Sequence, residues 1–86
     1  MKVAVWDTYV SKKDGRVMHF DIVVPHHLRD ESIIYSFGKD YLKSKDMEDL
    51  PLTAKEWSLC HVERATAEVE LHIRQKGYYI IEMQGC

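Results

Sequence analysis

The dipeptide Asp14-Gly15 stands between two segments in which side chains of alternating polarity predict β-strands. These segments span residues 3–10 and 17–24, and both are rich in β-branched and aromatic residues. A three-residue loop over residues 13–15 places Gly15 in the left-handed conformation that follows a type I turn. We therefore predict that the chain begins with a β-hairpin.

The loop length sets the register of the hairpin, and the register decides which side chains share a face. With three loop residues, one face is almost wholly apolar and belongs to the core: Ala4, Trp6, Thr8, Val10, Met18, Phe20, Ile22 and Val24. The other face pairs Asp7 with Asp21 and Tyr9 with His19. A two-residue loop is disfavoured because it places Asp7 opposite Ile22 and buries an unpaired carboxylate among apolar side chains.

After Pro25 the apolar spacing changes from two residues to about 3.6, which indicates a helix. Asp30 is predicted to cap this helix, which runs to about Ser44. Its core-facing stripe is predicted to consist of Ile33, Ile34, Phe37 and Tyr41. Gly38 costs helix stability in the middle of the segment, so we expect a neighbouring segment to approach closely there.

The second half of the chain alternates between strands and helices. A capping box over residues 53–56 predicts a short helical turn, and residues 57–62 have the composition of a third strand. Thr66 is predicted to cap a second helix that ends at Gly77, and residues 78–83 form a fourth strand.

These elements, in the order β-β-α-(short α)-β-α-β, predict an α+β fold, a mixed α/β arrangement with the hairpin in a mixed four-stranded sheet packed with two helices. The sheet is expected to be mixed because strand–helix–strand connections usually join parallel strands. A chain of 86 residues can bury one small core. Residues 1–86 are therefore expected to form a single compact α/β domain.

Composition and charge exclude several classes of protein. Hydrophobic residues make up 45% of the chain and charged residues 30%, as in folded globular proteins. A net charge of −2 argues against nucleic-acid binding, which requires basic residues to neutralise phosphates. No apolar run approaches the roughly 20 residues needed to span a bilayer, and the N-terminal one is too short for a signal peptide. We expect a cytoplasmic protein with no nucleic-acid and no membrane partner.

The polar face of the hairpin is the first candidate site. Asp7, Tyr9, His19 and Asp21 are expected to lie together there as ligand-binding residues. Two carboxylates directly opposite each other repel, so the pKa of one rises unless a cation lies between them. A histidine beside a carboxylate can act as a base or bind a metal ion. The alternative is a solvated outer face, which antiparallel sheets commonly present.

Histidines and cysteines elsewhere form weaker candidates. His26 and His27 follow the second strand, where one of them can bind an anion at the helix N-terminus or a metal ion. Cys60 and His61 are neighbours in a predicted strand, so their side chains are expected on opposite faces and not on one ion. Cys60 is interpreted as a small buried residue and Cys86 as a terminal thiol. We therefore predict no metal, no cofactor and no identifiable catalytic residue.

Three apolar residues are expected outside the main core stripes. Tyr35 and Leu42 lie off the stripe of the first helix, and Leu71 lies on the far side of the second helix from Val69 and Ile73. They fit packing against a neighbouring segment, simple exposure, or an oligomer contact. We expect a monomer or a weak homodimer.

Four segments, MKVAVWDTYV, KKDGRVMHFDIVVP, LCHVE and GYYIIEMQGC, together resemble a small bacterial family known only as a conserved domain of unknown function. The resemblance covers almost the whole chain and implies a compact α/β domain in the bacterial cytosol, but it implies no activity or cofactor. The residues support two hypotheses. The favoured one is a non-enzymatic binding or interaction module for an unknown protein or small molecule. The other is a metal- or small-ligand-binding protein, with or without enzymatic activity, that uses the polar face of the hairpin.

Overall fold

The N-terminal hairpin forms with the predicted register. The computed structural model describes residues 1–47, 49–50, 52 and 57–84. For residues 57–60 it describes the backbone but not the side chains. β1 (Lys2–Ser11) and β2 (Val17–Pro25) pair so that Ala4 lies opposite Val24. The loop has three residues, and Gly15 has a φ of 86°, the left-handed conformation that the turn requires.

Two further strands add to the edges of the hairpin. β3 (Trp57–Arg64) pairs antiparallel with β1, and β4 (Tyr79–Gln84) pairs antiparallel with β2, so the strand order is β3-β1-β2-β4. With α1 (Glu31–Ser44) and α2 (Ala67–Lys76), these strands confirm the α+β class and the predicted order of the main elements.

The sheet differs from the prediction in one respect, because every strand pair in the described part of the chain is antiparallel and the sheet is not mixed. The reason is that the hairpin occupies the centre of the sheet. β2 and β3 run in the same direction, but β1 lies between them. The helices therefore carry the chain to opposite edges of the sheet and not to a neighbouring parallel position.

α1 covers the apolar face of the sheet, but with a rotation that the sequence analysis did not predict. Its buried residues are Ile34, Gly38, Tyr41 and Leu42. Ile33 was predicted in the stripe and is 40% exposed, whereas Leu42 was predicted outside it and is fully buried. Tyr35 packs partly buried against the same core. The rotation brings Gly38 against the core, where a Cβ atom would lie 2.7 Å from Leu52 Cδ2, so the predicted close approach is confirmed.

The helix ends follow the predicted caps. Asp30 and Thr66 each accept a hydrogen bond from a backbone N–H of the first turn, and Gly77 ends α2 with a φ of 92°. The predicted turn over residues 53–56 and the terminal Cys86 lie outside the described residues. Among the helices that are described, none combines the length and the apolar character needed to cross a membrane.

α2 covers half of the other sheet face. Its residues Val69 and Ile73 pack in a second apolar cluster with Val3, Val5 and Val23. Leu71, on the far side of the helix, is 53% exposed as expected. Tyr9, at the opposite end of this sheet face, is 45% exposed. This face is therefore apolar and covered at one end, and polar and open at the other.

Candidate functional site

Three polar side chains meet where the covered and open halves of this face join. Asp7 of β1 lies directly opposite Asp21 of β2, and His19 precedes Asp21 by two residues on the same face. The Nε2 atom of His19 lies 3.4 Å from Asp7 Oδ1 and 3.5 Å from Asp21 Oδ1. Each residue offers one ligand atom, and these three atoms lie within 4.8 Å of one another. We call this group the Asp7–His19–Asp21 cluster.

Tyr9 holds the imidazole of the cluster in position. It lies opposite His19 in the hairpin, and the two rings stack with their centroids 4.3 Å apart and their planes 12° from parallel. The stack limits rotation of the imidazole because turning the ring would break the contact. The Nε2 atom of His19 therefore stays directed at the two carboxylates.

Asp21 is the buried member of the cluster. Only 8% of the residue is exposed, and within the described part of the chain its Oδ1 atom has no hydrogen-bond partner. Burial, followed by a hydrogen bond between the carboxyl groups of Asp21 and Asp7 and by the negative charge of Asp7, raises the pKa of Asp21 from 3.8 to about 6. That hydrogen bond does not involve Asp21 Oδ1. The positive charges of His19 and His61 oppose this rise. Asp21 therefore does not lie on a fully solvated outer face, which was the alternative that the sequence left open.

β3 carries a β-bulge next to the cluster that sequence reasoning missed. Leu59 pairs with Trp6 and His61 pairs with Val5, so Cys60 is the extra residue between the two pairs. The extra residue interrupts the regular alternation of the strand between Leu59 and His61. Because His61 pairs with Val5, it lies on the same face as the cluster. Strict alternation cannot predict a bulge, and the sequence contains no signal that would have located it.

β4 carries a second bulge on the other side of the cluster. Glu82 pairs with Phe20 and Gln84 pairs with His19, which leaves Met83 as the extra residue. Gln84 was not among the predicted site residues. The bulge places its polar side chain, in place of the methionine, at the position opposite His19.

An open pocket lies beside the imidazole of His19. Its volume is about 380 Å³, and it is lined by Tyr9, Arg16, Val17, His19 and Gln84. A larger pocket of about 550 Å³ runs along β4 between Tyr41 and Lys76, but no residue of the Asp7–His19–Asp21 cluster lines it. The smaller pocket is the relevant one because it gives solvent and small ligands access to the site histidine.

The structure does not bring His26 and His27 to this cluster. Both are exposed, and their rings contact each other edge to face at 5.7 Å beyond the end of β2. His26 follows His19 by seven residues of extended chain, a distance of about 23 Å. Neither histidine can share one ion with the cluster, so their predicted role as ligands remains a separate and untested prediction.

Comparison with known proteins identifies the family of this chain and a similar solved structure. Residues 1–83 match the family described as Domain of unknown function (DUF2024). The NMR structure of protein NE1680 from Nitrosomonas europaea, a structural genomics target, is similar to this one with a TM-score of 0.88. The two chains are 43% identical, over 100% of this chain and 99% of that chain. No curated protein matches. The expected membership of a family of unknown function is confirmed, and the chain belongs to the DUF2024 family.

Proposed function

We propose that this protein is a small binding module whose ligand is a divalent transition-metal ion held by Asp7, His19 and Asp21. The observation that carries the proposal is the buried Oδ1 atom of Asp21, which has no hydrogen-bond partner among the described residues and lies 3.5 Å from the Nε2 atom of His19. Buried polar atoms are almost always partnered, and at Asp21, unlike at Thr8, the exception lies beside two other ligand atoms, where a bound ion would explain it. Imidazole nitrogen and carboxylate oxygen together suit ions such as Zn²⁺.

The spacing of the ligand atoms fits one ion. Bonds from Zn²⁺ to nitrogen and oxygen are about 2.0–2.1 Å long, so two ligand atoms in a tetrahedral site lie roughly 3.3–3.4 Å apart. The two separations from His19 Nε2 are 3.4 and 3.5 Å. The third separation, between the two carboxylate oxygens, is within 4.8 Å. One ion can therefore bind all three side chains if the carboxylates adjust to bring their oxygen atoms to the tetrahedral spacing.

Charge supports the same conclusion. The two opposed carboxylates repel each other, and burial raises the pKa of Asp21 because its ionised form is poorly solvated. A divalent cation removes both penalties at once. It must displace the proton that the pair retains, so its apparent affinity is expected to fall as the pH drops below about 6.

Metal content and thermal stability test the proposal. The protein is treated with a chelator and dialysed against Zn²⁺, after which bound zinc per chain is measured by elemental analysis. We expect one ion per chain in the wild type and none retained by His19→Gln or Asp21→Asn. The matched control is the double variant His26→Gln, His27→Gln, which removes two exposed histidines and is expected to keep the ion.

A ligand present at 100 times its dissociation constant stabilises a folded protein by about 2.7 kcal/mol. For a domain of this size, that gain raises Tm by roughly 10–20 °C. Zinc is expected to produce this rise in the wild type and in the His26, His27 control. If zinc raises Tm equally in the His19→Gln variant, the three-residue site is wrong.

A further inference from the structure

Both edge strands of the sheet bulge at the level of the Asp7–His19–Asp21 cluster. In β3 the extra residue lies between the partners of Val5 and Trp6, next to Asp7. In β4 it lies between the partners of His19 and Phe20. Bulges are frequent beside functional sites, where the extra residue changes the direction of a side chain. Two bulges that flank one cluster are therefore a second indication, independent of the ligand distances, that this part of the sheet is a functional site.

The bulge in β3 changes which side chain reaches the cluster face. Leu59 pairs with Trp6, so regular alternation would place Cys60 opposite Val5. The extra residue places His61 there instead. The result is a second imidazole on the same sheet face as the two carboxylates.

The strand register places His61 beside the cluster. It is a diagonal neighbour of Asp7 across the β1–β3 pair, and such neighbours lie about 7–8 Å apart, a gap that an aromatic side chain spans. The register therefore places the imidazole of His61 on the cluster face, one diagonal position from the Asp7 carboxylate.

The ion pair between His61 and Glu63 does not prevent the imidazole from binding an ion. Its Nε2 atom lies 3.2 Å from Glu63 Oε1, and the two side chains are 49% and 50% exposed. An exposed pair of this kind contributes about 0–1 kcal/mol. The ring can exchange the carboxylate of Glu63 for a metal ion at little cost.

Building on the function proposed above, we infer that His61 is the fourth protein ligand of the metal ion. The complete site then has two imidazoles and two carboxylates, contributed by β1, β2 and β3. Four protein ligands suit the tetrahedral coordination of Zn²⁺. Two imidazoles favour Zn²⁺ over Mg²⁺ and Ca²⁺, which prefer oxygen ligands.

Zinc affinity and imidazole NMR test the role of His61. The dissociation constant for Zn²⁺ is measured by competition with a chromophoric chelator in the wild type, His61→Gln and the exposed-histidine control His27→Gln. We expect His61→Gln to weaken binding at least roughly tenfold, which is within the range for groups that support metal ligands. We expect His27→Gln to leave the affinity unchanged. In the wild type, the ring nitrogen resonances of His61 and His19 are expected to shift together when Zn²⁺ is added.

The outcomes separate the fourth ligand from the site itself. If His61→Gln binds Zn²⁺ as tightly as the wild type while His19→Gln does not bind, His61 is not a ligand and the three-residue site stands. If the ring nitrogens of His61 do not shift on zinc addition, its assignment as a ligand is also overturned. If the wild type binds no zinc, both the fourth ligand and the proposed function are wrong.

Discussion

Asparagine in place of Asp21 is expected to stabilise the metal-free protein at neutral pH. Burial and the neighbouring Asp7 raise the pKa of Asp21 to about 6 in the folded state, against 3.8 as its ordinary value. Between these two pH values the folded protein keeps a proton that the unfolded chain has released. The contribution of Asp21 to stability is therefore fully present below pH 3.8 and is lost as the pH rises through about 6.

The size of this loss follows from the two pKa values. A factor of ten in a protonation equilibrium is worth about 1.4 kcal/mol. A pKa that moves from 3.8 to about 6 therefore lowers the free energy of unfolding by about 3 kcal/mol once Asp21 is ionised in both states. Asparagine has nearly the shape of the protonated acid and cannot ionise, so the Asp21→Asn variant avoids this loss.

Urea denaturation in the presence of a chelator measures the effect, with the fluorescence of the buried Trp6 as a probe of unfolding. The stability of Asp21→Asn minus that of the wild type is expected to be near zero at pH 4 and about 3 kcal/mol at pH 8. Taking the difference cancels groups that titrate alike in both proteins. Asp46→Asn, the same substitution at an exposed position outside the cluster, is the control for the effect of the substitution itself.

A difference that stays constant from pH 4 to pH 8 would refute the argument, because it would mean that folding does not change the pKa of Asp21. A difference in stability that falls as the pH rises would mean that folding lowers the pKa of Asp21 instead of raising it. In that case, Asp21 would be ionised more readily in the folded protein, and the positive charge of His19 would outweigh both burial and Asp7.

Further substitutions test other parts of the structure. Thr8→Val is expected to raise the free energy of unfolding by about 1 kcal/mol, since the Thr8 hydroxyl is buried with no hydrogen-bond partner among the described residues. Urea denaturation measures this, and a loss of stability would contradict it. Gly15→Ala is expected to lower the free energy of unfolding by about 1–2 kcal/mol because Gly15 has a positive φ. Gly77→Ala is expected to lower it further, because Gly77 also has a positive φ and the added Cβ would lie 3.3 Å from an aromatic ring. Equal losses in Tm would show that the ring contact is unimportant. Tyr9→Ala is expected to weaken zinc binding severalfold, whereas Tyr9→Phe is not, since phenylalanine can stack on the imidazole of His19 as tyrosine does. Chelator competition measures the two affinities, and equal zinc binding by both variants would contradict this.

The hairpin and its register were predictable because local chemistry and burial agree there. Gly15 supplies the positive φ that the loop requires, and the apolar alternation admits only one register without burying Asp7 among apolar side chains. The rotation of α1 was not predictable in the same way. Ile33 and Leu42 are both apolar, and the choice between them depends on the contact that Gly38 makes with the core.

The candidate site also has a part that the sequence could predict and a part that it could not. The hairpin register placed Asp7, His19 and Asp21 together, since their positions depend on a turn that the sequence encodes locally. The position of His61 depends on one extra residue in a strand that reaches the hairpin from far along the chain. Alternation alone separated Cys60 from His61 but could not show which of the two lies on the cluster face. The sequence analysis therefore assigned no metal ligand, kept metal or small-ligand binding at the hairpin face as its second hypothesis, and did not include His61 in it.

The opposed carboxylates also show what the register leaves open. In the sequence, Asp7 and Asp21 are equivalent partners, and either pKa could rise. Tertiary burial breaks the symmetry, because the side chain of Asp21 is 11% exposed and that of Asp7 is 29% exposed. Asparagine would avoid the cost of ionising the buried position, yet the chain carries an acid there, beside an imidazole whose orientation a stacked tyrosine fixes. A local loss of stability of this kind is typical of positions that serve binding, and it occurs here where three ligand atoms meet.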